Sequence, residues 1–224
     1  EMQDPPRVDV VVSETLGNYP FEEHIIETMN DAIRRHLKRG GIVIPGRLAQ
    51  YVAPVVTDRF HTELTAWERI GDGLDFTPAQ EMSLNNIYVR TLTTGDLLDE
   101  GRSARKWDEI DFSVQNRSSR KGEVRWSPDA GTTVYAFATW WVAELVPGIE
   151  LSTAPDAPRT HWEQLYFPLM RPVSVREGET IAISLRSRTS VSSGTDVAWT
   201  VIRHDRSGRV QERQAMDLSK GYLP

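Results

Sequence analysis

The sequence predicts an α+β fold: one strand–helix–strand unit over residues 1–46, then an antiparallel β-barrel, or a sandwich of the same strands, over residues 47–224. Three observations predict it. "VDVVV" at 8–12 is a short valine run of the kind used by parallel strands covered on both faces. Between residues 22 and 39 Ile25, Met29, Ile33 and Leu37 recur every four positions, a helical period. Beyond residue 46 the chain is cut into β-branched and aromatic pieces separated by turn-forming ones.

Taken in order, "EMQDPPR" is polar and broken by proline, and reads as a frayed start. The helix opens on Glu22-Glu23 and closes on "RRHLKR", acid before base, as the helix dipole favours. Gly40-Gly41 is expected to stop it, and "IVIP" begins a second strand. This makes one βαβ unit. Barrel strands are expected in "RLAQYVAPVVT", "NNIYVRTLT", "WDEIDFSV", "TTVYAFATWWVAEL", "QLYFPLM", "TIAISLRS" and "VAWTVIRH". Turns fall at "GDGLDFTP", "SPDAGT" and "REGET". "NRSSRKGE" reads as a solvated hairpin tip, "SRTSVSSGT" as a loop, and Trp140 and Trp141 as core or barrel lining. A strand buried on both faces needs more neighbours than one crossover provides. The front unit is therefore expected to belong to a larger α/β sheet, completed by further residues of the same protein or by another chain.

Composition narrows the function classes. The chain has 224 residues, 39% hydrophobic and 26% charged, enough for a sizeable core. A net charge of −6 argues against a general nucleic-acid binder and is compatible with a cationic ligand. The absence of cysteine excludes disulfides and thiolate metal sites, and His24, His36, His61 and His204 show no metal-ligand spacing. No run approaches the roughly 20 apolar residues of a membrane helix, and no apolar signal segment stands near the start, so a cytoplasmic setting is expected.

The stretch "SETLGNYPFEE" resembles the double-glutamate loop of the protein arginine methyltransferases, in which Ser-Glu is followed by a glycine and by a second glutamate nine positions after the first. "RTHWEQ" at 159–164 is similar to that family's Thr-His-Trp loop, "IPGRLAQYVAP" to the segment entering its barrel, and "VSVREGETIAISL" to later barrel strands. Order and spacing agree over nearly the whole chain. The resemblance implies that residues 1–46 end a Rossmann-like methyltransferase sheet and that residues 47–224 form the substrate-binding barrel. It also implies an S-adenosylmethionine-dependent transfer of a methyl group to a guanidino nitrogen.

Residue chemistry agrees with that implication. A guanidinium presents five donors in a planar fork and stays charged, so two carboxylates can grip it and orient one nitrogen. Glu14 follows a parallel strand, where α/β sheets place ligands, and Gly17 and Pro20 permit a bend that returns Glu23 toward it. By themselves Glu14 and Glu23 also fit a solvated loop residue and a helix-dipole acid, and Glu22 competes with Glu23. By resemblance Glu14 and Glu23 bind the substrate arginine, His161 is a polar partner beside them, and Trp162, Thr160 and Tyr19 line the substrate site. The acid that pairs with this histidine in the family is not among these residues.

Departures matter too. The Gly-rich cofactor loop and the ribose-binding acid of the family have no counterpart in these residues, so no cofactor-binding residue is assigned, and "GDGLDF" lacks the flanking strand and helix. Leu16-Gly17 is closer to the symmetric-dimethylating branch and "THW" to the asymmetric one, which leaves the product type unassigned. Residues 66–95 are a candidate dimerisation arm or a plain barrel loop. The expected partners are an arginine-containing protein or peptide, or a small guanidine, and a second copy in a homodimer. This chain alone is expected to be inactive. The competing reading is a non-catalytic barrel or scaffold module, or a pseudoenzyme, paired with another chain. A hydrolase using Glu14 and Glu23 as an acid–base pair is a third reading, disfavoured by the Thr-His-Trp match.

Overall fold

The computed structural model describes residues 6–70 and 73–220. Its front unit is β1 (Val8–Val12), α1 (Ile25–Arg35) and β2 (Leu37–Ile44), the two strands pairing in parallel. Helix α1 buries Ile25, Ile26 and Met29 and half-buries Ile33, with Glu27 in its first turn and Arg34 and Arg35 in its last. Full burial of each apolar side chain is worth about 1.5–3 kcal/mol. Here the helix is shorter than expected. It ends at Arg35, with His36 as its C-cap and Leu37 already paired with Val8 in β2, and Arg7 donates to the carbonyls of Arg34 and Leu37, at 3.1 and 2.9 Å, placing a cation near the negative end of the helix. Gly40-Gly41 does not cap it. Both glycines lie within β2, where four residues bulge out opposite Asp9 as the register moves from Val8↔Leu37 to Val10↔Ile42, and Gly40 takes a φ of 76°.

The expected two-sided burial of β1 is not realised among the described residues. Val11 faces the core, whereas Val10, Val12 and Ile42 are 45%, 67% and 54% exposed and form an open apolar face on β1–β2.

The remainder is mostly sheet. It comprises β3 (Arg47–Val55), β4 (Tyr88–Arg90), β5 (Arg105–Asp111), β6 (Ser119–Trp126), β7 (Thr132–Val146), β8 (Ile149–Ser152), β9 (Gln164–Val175), β10 (Thr180–Ser190), β11 (Gly194–His204) and β12 (Val210–Asp217). One sheet has the order β12-β11-β10-β6 and the other β4-β9-β7-β3-β5, with β8 paired to β7. Their ladders do not join, so the expected barrel is open and barrel-like. Side chains close the two seams instead. At one, the Arg120 guanidinium of β6 grips the buried Asp108 carboxylate of β5 at 2.6–3.1 Å, Gln50 of β3 donates to the same carboxylate at 3.0 Å, and Gly122 leaves room for the Trp107 carbonyl. At the other, Gln214 of β12 donates to the Arg171 carbonyl of β9 at 2.8 Å and accepts its N–H at 3.1 Å. Between the sheets lie Leu48, Val52, Phe137, Trp141, Phe167, Ile183 and Trp199, and the buried side of α1 packs into the same core.

Three further differences have local causes. "NRSSRKGE" is not a hairpin tip, since residues from Ser119 onward form β6 against β10. "SRTSVSSGT" is the end of the β10–β11 hairpin, paired as far as Ser190↔Gly194. Residues 66–95 are a folded excursion rather than a bare loop. Following α2 (Arg59–Leu64), they hold α3 (Trp67–Ile70), α4 (Thr77–Leu84) and β4. Leu64 and Leu84 pack under Tyr166, and the Asn85 side chain exchanges hydrogen bonds with the Asp217 backbone at 2.8 and 3.0 Å. Gly71 and Asp72 of "GDGLDF" lie outside the described residues. The segment is preceded by α3 instead of a strand, although α4 does follow it.

Candidate functional site

The loop from Ser13 to His24 joins β1 to α1 against the wide core. Ser13 extends the parallel ladder by donating to the Ile44 carbonyl at 2.9 Å, and Glu14, the next residue beyond the carboxyl end of β1, is exposed. The chain next turns inward, burying Leu16, Tyr19 and Phe21. Two β-turn hydrogen bonds, Glu22 N–H to the Tyr19 carbonyl and His24 N–H to the Phe21 carbonyl, both 3.1 Å, bring it back to the surface at Glu23.

Distant residues hold this loop. The Trp162 indole donates to the Leu16 carbonyl at 2.6 Å and the Trp141 indole to the Gly17 carbonyl at 3.1 Å, with the two rings edge to face. The Glu163 N–H donates to the Asn18 side chain at 2.8 Å, and the Tyr19 hydroxyl shares a short hydrogen bond with Ser187. The "THW" segment is therefore fastened to the segment between the two glutamates. Thr160 shapes that segment, since its hydroxyl donates to the Trp162 carbonyl at 3.0 Å and accepts the Trp162 N–H at 3.2 Å. The exposed His161 ring lies on Trp162 with centroids 3.7 Å apart.

The expected site residues thus separate by position. Glu14, Glu23 and His161 are exposed, and Trp162 is half-buried and spends its indole N–H on the loop. Tyr19 is buried, its hydroxyl turned to Ser187, and burial pushes its phenol above the usual range despite that hydrogen bond. Glu14 and Glu23 have no hydrogen-bond or ion-pair partner among the described residues. Glu22 behaves differently. Its carboxylate folds back over Gly17, beside the backbone N–H groups of Asn18 and Tyr19. Burial, with the charge of Glu23, raises its carboxyl above the ordinary value even so.

Sequence reasoning missed Trp141, Asn18, Glu163 and Ser187 as loop anchors. They carry no local signal, since Trp141 and Trp162 lie 124 and 146 residues beyond the carbonyls they bind. A second stabilising contact, also unforeseen, ties α1 to the β5–β6 connection. Asn30 and Asn116 exchange side-chain and backbone hydrogen bonds at 2.8 and 2.9 Å. A cavity of about 1100 Å³ lies elsewhere, between α4 and the outer face of the four-stranded sheet, and is lined by none of the residues named for the site.

Residues 47–200 match the arginine methyltransferase oligomerization subdomain. Human protein arginine N-methyltransferase 2 is 27% identical over 192 residues, 81% of this chain and 44% of that protein. The chain spans about half the length of the curated relatives it matches. Among solved structures, the Trypanosoma brucei PRMT1 enzyme–prozyme heterotetrameric complex with AdoHcy superposes with a TM-score of 0.83 at 19% identity, covering 97% of this chain and 70% of that one. Arabidopsis thaliana protein arginine methyltransferase 10 superposes with a TM-score of 0.77 at 20% identity, covering 97% and 72%.

Proposed function

The chain belongs to the arginine methyltransferase family, and from that premise we propose that it carries the substrate side of an S-adenosylmethionine-dependent methyl transfer to a guanidino nitrogen. One observation supports this above others: the loop's Leu16 and Gly17 carbonyls accept the Trp162 and Trp141 indoles and its Asn18 side chain accepts the Glu163 N–H, while Glu14 and Glu23 have no hydrogen-bond or ion-pair partner among the described residues. Two such carboxylates suit a planar cation. Each takes part of the guanidinium fork in charge-assisted hydrogen bonds, which fixes the orientation of the remaining nitrogen. His161 is assigned as their polar neighbour and Trp162 as a wall of the site, with Thr160 and Tyr19 supporting both loops.

S-adenosylmethionine, when bound, supplies the methyl group. The described residues do not build a site for it, since the loop after β1 is committed to the glutamates and tryptophans and no Gly-rich strand–loop–helix is present among them. The chemistry assigned to this chain therefore ends at binding and orienting the guanidinium. On this reading β1, α1 and β2 (residues 1–46) end a Rossmann-like methyltransferase sheet that continues at the other edge of β1, the open face of Val10, Val12 and Ile42 is covered by elements packed on that sheet, and residues 47–224 are the substrate domain. Assembly into a homodimer through the excursion at 66–95 and a cytoplasmic setting belong to the same proposal.

The test is methyl transfer from S-adenosylmethionine to an arginine-containing peptide by the full-length protein. Glu14→Gln and Glu23→Gln should each lower the rate about 100-fold or more with the fold intact. Unchanged rates would remove both residues from the site. The second reading, a non-catalytic module that pairs with another chain, draws on the enzyme–prozyme pairing in the Trypanosoma brucei complex. It predicts no transfer by the protein alone and transfer once a catalytic homologue is added.

A further inference from the structure

We propose that the groove between α4 and the outer face of the four-stranded sheet docks an acidic segment of a partner protein. None of its lining residues belongs to the functional site, so the inference stands apart from the methyl-transfer reading. The groove encloses about 1100 Å³. Its floor is a row of short side chains in direct register, Ala215 of β12, Thr200 of β11 and Ser184 of β10. One wall is α4, held in place by the paired hydrogen bonds between Asn85 and the Asp217 backbone. Met82 of α4, 36% exposed, and Met170 of β9 add apolar surface, and such unbranched side chains adapt to contacts of varied shape.

Charge selects the occupant. Lys121, Arg213 and Lys220 line the groove with no hydrogen-bond or ion-pair partner among the described residues. Two of the three lining acids are engaged. Glu123 accepts the Ser184 hydroxyl at 2.8 Å and lies 3.8 Å from Arg125, and Asp217 accepts the Ser219 hydroxyl at 2.6 Å and lies 3.7 Å from Arg186. Glu81 is the lining acid without such a partner among the described residues. Three free cations against one free carboxylate, in a chain of net charge −6, make a local reversal of sign that a partner's carboxylates would complement. Among the described residues no aromatic side chain lines the groove, so it offers no platform on which the bases of a single strand could stack.

The probe is a fluorescein-labelled peptide of about ten residues, glutamate alternating with serine, read by fluorescence anisotropy with the full-length protein at low salt. An extended chain rises about 3.3 Å per residue, so this length crosses four strands, about 14 Å across at roughly 4.8 Å spacing, with residues to spare. Lys121→Glu/Arg213→Glu should weaken binding at least about tenfold. Arg39→Glu/Arg105→Glu makes the same change of charge at exposed positions away from the groove and should stay within about twofold of the parent. Ala215→Trp fills the exposed floor without altering charge and should weaken binding at least about fivefold. The four charge reversals and Ala215→Trp all lie at exposed positions, and unchanged thermal unfolding establishes that each variant is folded. Absence of binding by the parent, an equal loss in the control pair, or undiminished binding by Ala215→Trp overturns the proposal. A single-stranded oligonucleotide of equal charge that displaces the peptide and binds more tightly also overturns it, and assigns the face to nucleic acid.

Discussion

Replacing Trp162 by Phe tests whether the joint between the two loops governs the site. The substitution keeps an aromatic ring beside His161 and Trp141 but deletes the indole N–H that meets the Leu16 carbonyl at 2.6 Å. Leu16 is 4% exposed, so water cannot readily replace the lost donor. An orphaned buried acceptor costs about 1–3 kcal/mol. If the loop escapes that cost by leaving its position, its productive population falls about 5- to 150-fold, at 1.36 kcal/mol per factor of ten. The measurement is kcat/KM for an arginine peptide with the full-length protein, alongside far-ultraviolet circular dichroism to establish that the sheets persist. The loss should appear in kcat/KM with the spectrum unchanged. Activity within about twofold of the parent would refute the reasoning, because a satisfied Leu16 carbonyl would then be irrelevant to where Glu14 and Glu23 sit.

Two predictions concern stability. Arg120→Leu leaves the Asp108 carboxylate, 7% exposed, with the Gln50 amide as its remaining hydrogen-bond donor, and should destabilise the protein by about 3–5 kcal/mol in urea unfolding. Adding Asp108→Asn should recover much of that loss, and a single-variant cost under about 1 kcal/mol would show that the seam does not depend on the pair. At Asp96, burial alone would raise the carboxyl, but the Arg59 guanidinium and hydrogen bonds from Thr93 and Thr57 outweigh it and hold it well below the carboxylate range. A group depressed in the folded state stabilises above its unfolded pKa of about 3.9 and loses that contribution as pH falls. The stability gap between parent and Asp96→Asn should therefore be widest at neutral pH and narrow below about pH 4; a gap independent of pH would refute it.

What could be read in the sequence was whatever depends on neighbours in the chain. The strands with alternating or continuous apolar residues, β3, β7, β9, β10 and β11, overlap the expected segments because a half-buried pleat imposes that pattern locally, and β9, β10 and β11 run several residues beyond them. Strands β6 and β12 escaped because their burial is supplied by side chains with other duties. Lys121, Glu123 and Arg125 of β6 are exposed, and the inward Gln214 of β12 spends its amide on the seam with β9. The end of α1 was misplaced for a related reason. It ends where Leu37 pairs with Val8 and Arg7 donates to the Arg34 carbonyl, contacts nearly thirty residues apart in the chain.

The loop at Ser13 to His24 obeys the same rule with a functional consequence. Its glutamate spacing is local and was legible, but spacing alone does not decide which carboxylate is free. The path of the loop is set by two tryptophans, from β7 and the "THW" segment, that take its Gly17 and Leu16 carbonyls. Once those backbone groups are satisfied internally, an exposed carboxylate at Glu14 or Glu23 has nothing in the described chain to bind. A loop held by these contacts presents its charges at little further entropic cost, which the proposed recognition of a planar cation would use.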